Sequence, residues 1–279
     1  MTLAVLAASP SAASGSDFSR SKAMGHVRRL ASGIGPRVRG SRAEKRASRY
    51  VAREFDRLGY RVKIQRFGVD GRRSRNVVAW WPGAVEHPLV IGGHMDTVPG
   101  SPGANDNASG VAVVLELARI AAGTTEARFL RFVAFGSEEY GDDGRHHVGS
   151  ATHVRRLGSA GVSRTPGMVS VDMIADGRPL IVSTTGMAPK LLARILVRTF
   201  GRAGIRAVFD LGCDCSDHGP FERAGIPGAF LWSGDEPDYH SPSDTPRNLE
   251  PRDLVRTGRA MVGFLARLDG DLMRRLRAA

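Results

Sequence analysis

Two glutamates, Glu138 and Glu139, stand side by side where the apolar run from Arg128 to Gly136 gives out. Adjacent carboxylates at the end of a buried strand push each other's pKa upward unless a cation lies between them. Partners of matching chemistry stand at four other places. They are His94 and Asp96 in Gly-Gly-His-Met-Asp-Thr, Asp106 in Gly-Ala-Asn-Asp-Asn-Ala-Ser-Gly, Asp172 in Val-Asp-Met-Ile, and His240 in Asp-Tyr-His-Ser-Pro. A hydrolytic centre of two ions needs imidazoles, a carboxylate that can bridge, and a further carboxylate left free to move a proton. This inventory supplies all three, and its mixture of His and carboxylate suits zinc.

Taken singly, each residue has an ordinary reading. A lone His94 at a strand end is a hydrogen-bonded structural histidine, Asp106 a turn residue bonding nearby backbone, and Asp172 a cap. His240 and Tyr239 alone are parts of a loop. Joint occurrence with one chemistry is what points to a metal. His146 and His147 belong to no such motif and read as solvated loop residues, and His218 reads as shaping the pocket rather than ligating.

The elements that must position these groups follow from periodicity. Helical patterning runs from Ser19 to about Leu58, broken by the Gly- and Pro-containing loop Gly33–Ser41. Strands are predicted at Arg61–Phe67, Asn76–Trp81, Pro88–Gly93, Phe129–Phe135, Gly167–Val171, Leu180–Val182, Arg206–Phe209 and Gly228–Trp232. Helices are predicted at Ala108–Ala121, Ser150–Leu157, Pro189–Phe200, Gly219–Ala224 and Pro251–Leu268. Strands alternating with helices imply an α/β fold whose mostly parallel sheet is covered on both faces. The candidate ligands then fall just past the carboxyl ends of strands, where such folds bind ligands. Neither an internal repeat nor a long linker divides the chain, so residues 17–279 read as a single domain.

Composition narrows the function classes. With 42% hydrophobic and 24% charged residues in a 279-residue chain, the sequence is that of an ordinary globular protein. No stretch approaches the ~18 consecutive apolar residues of a membrane span. The formal net charge is +12, yet all but four of the 40 basic residues are arginines scattered through nearly every segment. That dispersion, with 6% aromatics and no interleaving of basic and aromatic residues, argues against a nucleic-acid partner.

The first sixteen residues form a leader. The apolar run Thr2–Ala8 followed by small residues is like the end of a secretory signal without its basic start: read as a truncated signal it implies export with cleavage near Ala13, and read as a plain Ala/Ser leader it leaves the protein cytoplasmic. Cys213 and Cys215 are separated by one residue. A disulfide over so short a spacing would be strained, so free thiols are at least as consistent with the sequence.

These motifs resemble those of the co-catalytic di-zinc aminopeptidases, the clan of bacterial secreted leucine-type aminopeptidases, glutamate carboxypeptidase II and glutaminyl cyclase. The resemblance spans about Asp17 to Leu268 and includes Ser216-Asp217-His218-Gly-Pro-Phe221 as the clan's Ser-Asp-His loop. It implies a three-layer α/β/α sandwich with a mixed, mostly parallel sheet, the phosphorylase/hydrolase-like zinc-peptidase fold. It also implies two zinc ions: His94 and Asp172 would hold one, Glu139 and His240 the other, and Asp106 would bridge them. Glu138 would be the general base and later the acid. Asp96 would accept a hydrogen bond from His94 and fix its tautomer. Tyr239 would donate to the oxyanion, a role worth about 3 kcal/mol.

The function implied is removal of an N-terminal residue from a peptide by a hydroxide bridging the two metals. A carboxypeptidase or other amide hydrolase, a glutaminyl-cyclase-like enzyme and a non-catalytic binding module are the alternatives on this scaffold. One departure concerns the clan's Glu-Glu-x-Gly, which usually runs within a few residues into Gly-Ser. Here Asp142-Asp-Gly-Arg-His-His147 intervenes before Gly149-Ser150. That longer loop should lie at the mouth of the site.

Overall fold

Eight strands make one mixed sheet in the computed structural model, which describes residues 17–234 and 236–279. The leader expected over residues 1–16 lies outside the described residues. The strands are β1 (Arg61–Val69), β2 (Arg72–Trp80), β3 (Leu89–His94), β4 (Leu130–Phe135), β5 (Met168–Val171), β6 (Leu180–Thr184), β7 (Ala207–Leu211) and β8 (Gly228–Ser233). Their order is β1-β2-β4-β3-β5-β8-β6-β7. The four central strands β4, β3, β5 and β8 are mutually parallel, whereas β2 pairs antiparallel with β4 and β6 antiparallel with β8. Central strands buried on both faces must be apolar throughout. Leu-Val-Ile-Gly-Gly-His in β3 and Met-Val-Ser-Val in β5 are accordingly buried at every position.

Helices cover both faces, so the chain has the expected α/β sandwich architecture. On the larger face α1 (Arg20–Ala31), α2 (Arg42–Arg57), α3 (Gly110–Ala121), α5 (Leu191–Arg202), α7 (Pro251–Leu265) and α8 (Gly270–Arg277) close over one core containing Phe55, Leu115, Phe132, Phe200 and Phe264. On the smaller face α4 (Val148–Arg164) and α6 (His218–Arg223) cover Val78, Val90, Val133, Phe135 and Phe221. Fully burying a side chain of this kind contributes about 1.5–3 kcal/mol. Ser41 caps α2: its hydroxyl accepts the Glu44 N–H at 3.1 Å, and the Glu44 carboxylate reaches back to the Gly40 N–H at 2.7 Å.

Several boundaries differ from the sequence reading. The strands β1 and β2 run further toward each other and meet in a two-residue turn, Asp70-Gly71, both residues at positive φ. That conformation matches the twist of a hairpin. The third helix starts at Gly110 and is preceded by an irregular turn, Ala104–Ser109, which includes Asp106. The fourth continues to Arg164 through a kink at Gly158, and α8 follows where the pattern was read as finished. Cys213 and Cys215 form a disulfide, their Cα atoms 5.1 Å apart. No helix among the described residues is long and apolar enough to cross a membrane.

Candidate active site

The carboxyl ends of the four central strands lie side by side, and each delivers part of one cluster. His94 is the last residue of β3; Glu138 and Glu139 follow β4, Asp172 follows β5, and His240 lies in the loop after β8. Asp106 comes from the turn between β3 and α3. All but His240 are buried, and the His240 side chain is 32% exposed.

Asp106 sits between two groups. Its Oδ1 lies 3.0 Å from His94 Nε2, while its Oδ2 lies 3.1 Å from His240 Nε2. On the first side Asp172 Oδ1 approaches His94 Nε2 to 3.4 Å, and on the second Glu139 Oε2 approaches His240 Nε2 to 3.2 Å. His94, Asp106 and Asp172 thus converge as one possible metal-holding set and Asp106, Glu139 and His240 as another, with Asp106 common to these two, while His94, Glu138 and Glu139 converge as a third. The five residues anticipated as ligands are brought together. Among the described residues Asp172 Oδ1 and Glu139 Oε1 are buried without a hydrogen-bond partner, although buried polar atoms ordinarily find one. An ion with oxygen and imidazole donors fits those orphaned atoms.

The electrostatics have the same meaning. Burial alone would lower the His94 pKa, but the carboxylates of Asp172, Glu138 and Asp106 outweigh it and raise the imidazole well above its ordinary value. His240 behaves likewise and is raised to about 10 by Asp106 and Glu139 against the effect of burial. Burial pushes Glu139 up to about 7, with Asp106 adding to it, and it raises Glu138 and Asp172 as well.

Asp96 does something different from its expected role. His94 Nδ1 is closest to the Asp96 carbonyl oxygen, at 3.2 Å, and is 3.7 Å from Oδ1. The carboxylate instead accepts the N–H of Glu138 at 3.1 Å and of Glu139 at 3.2 Å, fixing the backbone that carries both glutamates. The reason is chain geometry: β3 and β4 are neighbours, so the segment after β3 faces the N–H groups of the segment after β4. Tyr239 is half exposed, its ring stacked on His240 with centroids 3.7 Å apart. His218 is buried against Phe230 and stays out of the ligand sets.

His147 departs most from expectation. Rather than a solvated loop residue, it is buried, with Nε2 2.9 Å from Glu138 Oε1. A left-handed backbone at His147 turns the loop back, so that its N–H donates to the Glu138 carbonyl at 2.7 Å and that of Val148 to the Ser137 carbonyl at 2.8 Å. Gly149 permits the return, since a Cβ there would lie 2.1 Å from the Gly136 oxygen. His146 stacks on the exposed Tyr140.

Three further contributors complete the surroundings: Arg37 and Arg39, which carry no motif of their own, and Asp244, four residues after His240 in the same segment. Arg37 is fully buried and donates to the carbonyls of Met95 (2.8 Å), Pro102 (2.6 Å) and Gly103 (2.8 Å), shaping the path from His94 to Asp106. Its charge lies among Asp244, Asp96, Asp106 and Glu139, which oppose the fall in pKa to about 10 that burial brings. Arg39, also buried, donates to the carbonyls of Glu139 (3.0 Å) and Arg145 (2.6 Å) and pairs with Asp70 at 3.0 Å. Asp244 accepts the N–H groups of Asn105 at 2.6 Å and Asp106 at 3.1 Å.

A cluster of imidazoles and carboxylates at the carboxyl ends of parallel strands is a donor set that can hold metal ions for hydrolysis. The sequence pattern of Peptidase family M28 matches residues 76–265, and the chain belongs to that family. It is 32% identical over 211 residues to aminopeptidase YwaD of Bacillus subtilis, covering 71% of this chain and 45% of that protein. The chain spans about half the length of the curated relatives it matches. Among solved structures, a zinc aminopeptidase from Bacillus subtilis superposes with a TM-score of 0.81 at 20% identity, covering 88% of this chain and 94% of the other. The glutaminyl cyclase of Fimbriiglobus ruber does so with a TM-score of 0.78 at 26% identity, covering 90% and 96%.

Proposed function

We propose that this chain is a zinc-dependent exopeptidase that removes the N-terminal residue of peptides, with two zinc ions held by His94 and Asp172 on one side, Glu139 and His240 on the other, and Asp106 between them. The observation that carries this reading is the division of the Asp106 carboxylate, one oxygen 3.0 Å from His94 and the other 3.1 Å from His240. The kinship with aminopeptidase YwaD supports the choice of substrate end.

Zinc, when bound, lowers the pKa of water toward neutrality and polarises a carbonyl. The chain's own residues do the rest. Glu138 stands beside the ligand set with Oε2 3.9 Å from His94 Nε2, and burial, with the neighbouring carboxylates adding to it, raises its pKa, the direction that suits a group that both takes and returns a proton. It takes the proton from the attacking water and returns it to the departing amine. Tyr239, at the exposed edge, donates to the oxygen that becomes negative as the carbonyl turns tetrahedral. Asp96 keeps Glu138 and Glu139 at their spacing through the two backbone N–H groups.

The glutaminyl-cyclase alternative uses one zinc, and the presence of donors for two ions, His94 and Asp172 beside Asp106 as well as Glu139 and His240, favours two. Export is part of the proposal and rests on the apolar run Thr2–Ala8 and the small residues that follow it. The test is elemental analysis of the purified protein together with hydrolysis of leucine-p-nitroanilide before and after chelation, run beside an N-blocked substrate cleaved from its carboxyl end. Two zinc per chain and chelator-sensitive release of nitroaniline are expected. Two zinc with cleavage only of the N-blocked substrate would make it a carboxypeptidase. One zinc with cyclisation of N-terminal glutamine would make it a cyclase, and no metal after reconstitution would overturn the site.

A further inference from the structure

The loop between Glu139 and α4 returns a buried imidazole to the glutamate that the proposed reaction uses as its base. Glu138 has two carboxylate oxygens in different surroundings: Oε2 faces His94 Nε2 at 3.9 Å, on the ligand side, and Oε1 faces His147 Nε2 at 2.9 Å, on the other. We propose that His147 is a positioning residue for Glu138, donating its Nε2–H to Oε1 so that Oε2 is held toward the attacking water. The proposal rests on the aminopeptidase reading given above.

Three observations support it. The first concerns where the ring proton sits. His147 Nδ1 has no hydrogen-bond partner among the described residues, its nearest carboxylate oxygen, Asp214 Oδ1, being 3.9 Å away and beyond hydrogen-bond reach. Only Nε2 has an acceptor within range, so the proton belongs there. Burial pushes the pKa of the ring far down, the direction of a neutral imidazole with a single N–H.

The second is that the loop is built to place this ring. His147 adopts a left-handed backbone (φ 51°), uncommon for a residue with a Cβ, and keeps it through the two short bonds to the Ser137 and Glu138 carbonyls. Arg39 fastens the far side of the loop at Glu139 and Arg145 and pairs with Asp143 at 3.5 Å. The His146 ring packs edgewise on His147 with centroids 4.0 Å apart, and Tyr140 covers His146.

The third is mechanical. A glutamate side chain turns about three bonds, and a base must present one oxygen at hydrogen-bond distance from the proton it takes. The backbone bonds from Asp96 hold the main chain of Glu138 but leave its carboxylate free to turn. A donor on Oε1 removes that freedom without occupying Oε2.

The experiment compares the zinc-loaded full chain with His147→Gln, whose terminal amide can supply an N–H near the position of Nε2, and His147→Leu, which fills the volume without a donor. Loss of such a supporting hydrogen bond costs ~10–100-fold in activity. His147→Leu is expected to lose kcat on leucine-p-nitroanilide by that factor, with KM and bound zinc unchanged, and His147→Gln to recover most of it. Equal kcat in the two variants, or a change confined to KM, would overturn the proposal. A readout free of turnover is the imidazole N–H signal in ¹⁵N-edited spectra of the zinc-free protein: one protected resonance should shift in Glu138→Ala and vanish in His147→Gln. If no resonance does both, the hydrogen bond is absent and the proposal fails while the aminopeptidase reading stands. A wild-type enzyme that shows the resonance, binds zinc and hydrolyses neither class of substrate would overturn the aminopeptidase reading, and the role of His147 with it.

Discussion

Asp244 and Asp106 are 138 residues apart in sequence, yet one Asp244 oxygen accepts the Asp106 N–H at 3.1 Å while the other accepts that of Asn105 at 2.6 Å. One buried carboxylate from the His240 loop therefore fixes the backbone of the residue shared by the two ligand sets. Asp244→Ala leaves both buried N–H groups unpaired. The expected result is a loss of ~1–3 kcal/mol per stranded group and zinc affinity reduced ~10–100-fold. Urea unfolding and competition with a chromogenic chelator measure the two; unchanged affinity would sever Asp244 from the metal site.

Asp106 and Glu138 should separate metal binding from turnover. Asp106→Ala takes an oxygen from each set and is expected to purify without zinc or with a greatly reduced amount. Glu138→Ala is expected to keep near-normal zinc while losing turnover by at least the ~10²–10⁴-fold that general acid–base catalysis contributes. Substantial activity in Glu138→Ala would show that another group moves the proton.

Arg37 is a buried cation beside four carboxylates and a donor to backbone carbonyls near both ends of the His94–Asp106 segment and to that of Leu30. Arg37→Leu removes the donor and the charge together. Breaking a buried charged network by deleting one partner costs about 3–5 kcal/mol. Thermal unfolding of the zinc-free protein should show the larger loss and that of the zinc-loaded protein a smaller one, because bound zinc neutralises part of the same acidic group. Equal losses would mean that Arg37 acts through its backbone hydrogen bonds alone.

His153 should make the fold sensitive to acid. It is buried between Phe135 and Phe221 with Nδ1 3.1 Å from Gln65 Oε1, and burial lowers its pKa to about 3. The folded protein keeps this ring neutral while the unfolded chain protonates it below ~6.5. Its stabilising contribution is therefore complete above that pH and is lost as pH falls toward 3. Between pH 7 and pH 5 the loss from this residue is about 2 kcal/mol. Urea unfolding at the two pH values should give a smaller difference in His153→Gln than in the wild type; an undiminished difference would contradict the assignment.

Much of the site could be read from the sequence because its residues stand at the ends of apolar runs, where the change from buried strand to Gly- or Asn-rich turn is plain. His94 after Val-Ile-Gly-Gly and Glu138 after Val-Ala-Phe-Gly-Ser are of this kind. What could not be read depends on the backbone path of loops. His147 belongs to a charged, Gly-containing stretch that looks solvated, and only its left-handed backbone turns the ring inward. Arg37 and Arg39 are two of 36 arginines, and nothing in a composition so rich in that residue distinguishes the few that are buried. The Asp70-Gly71 dipeptide did contain a hairpin signal; the arginines around it, exposed in the structure, masked the strand pattern.

The order of the site's parts along the chain also sets the order in which a ribosome delivers them. Arg37, His94, Asp106, the two glutamates and Asp172 are all made before β8, whereas His240 and Asp244 come after it. A nascent chain halted before residue 240 carries the acidic cluster with one imidazole instead of two, and the backbone of Asp106 is not yet clamped. Both candidate ligand sets that share Asp106 are therefore complete only once the segment after β8 has been made.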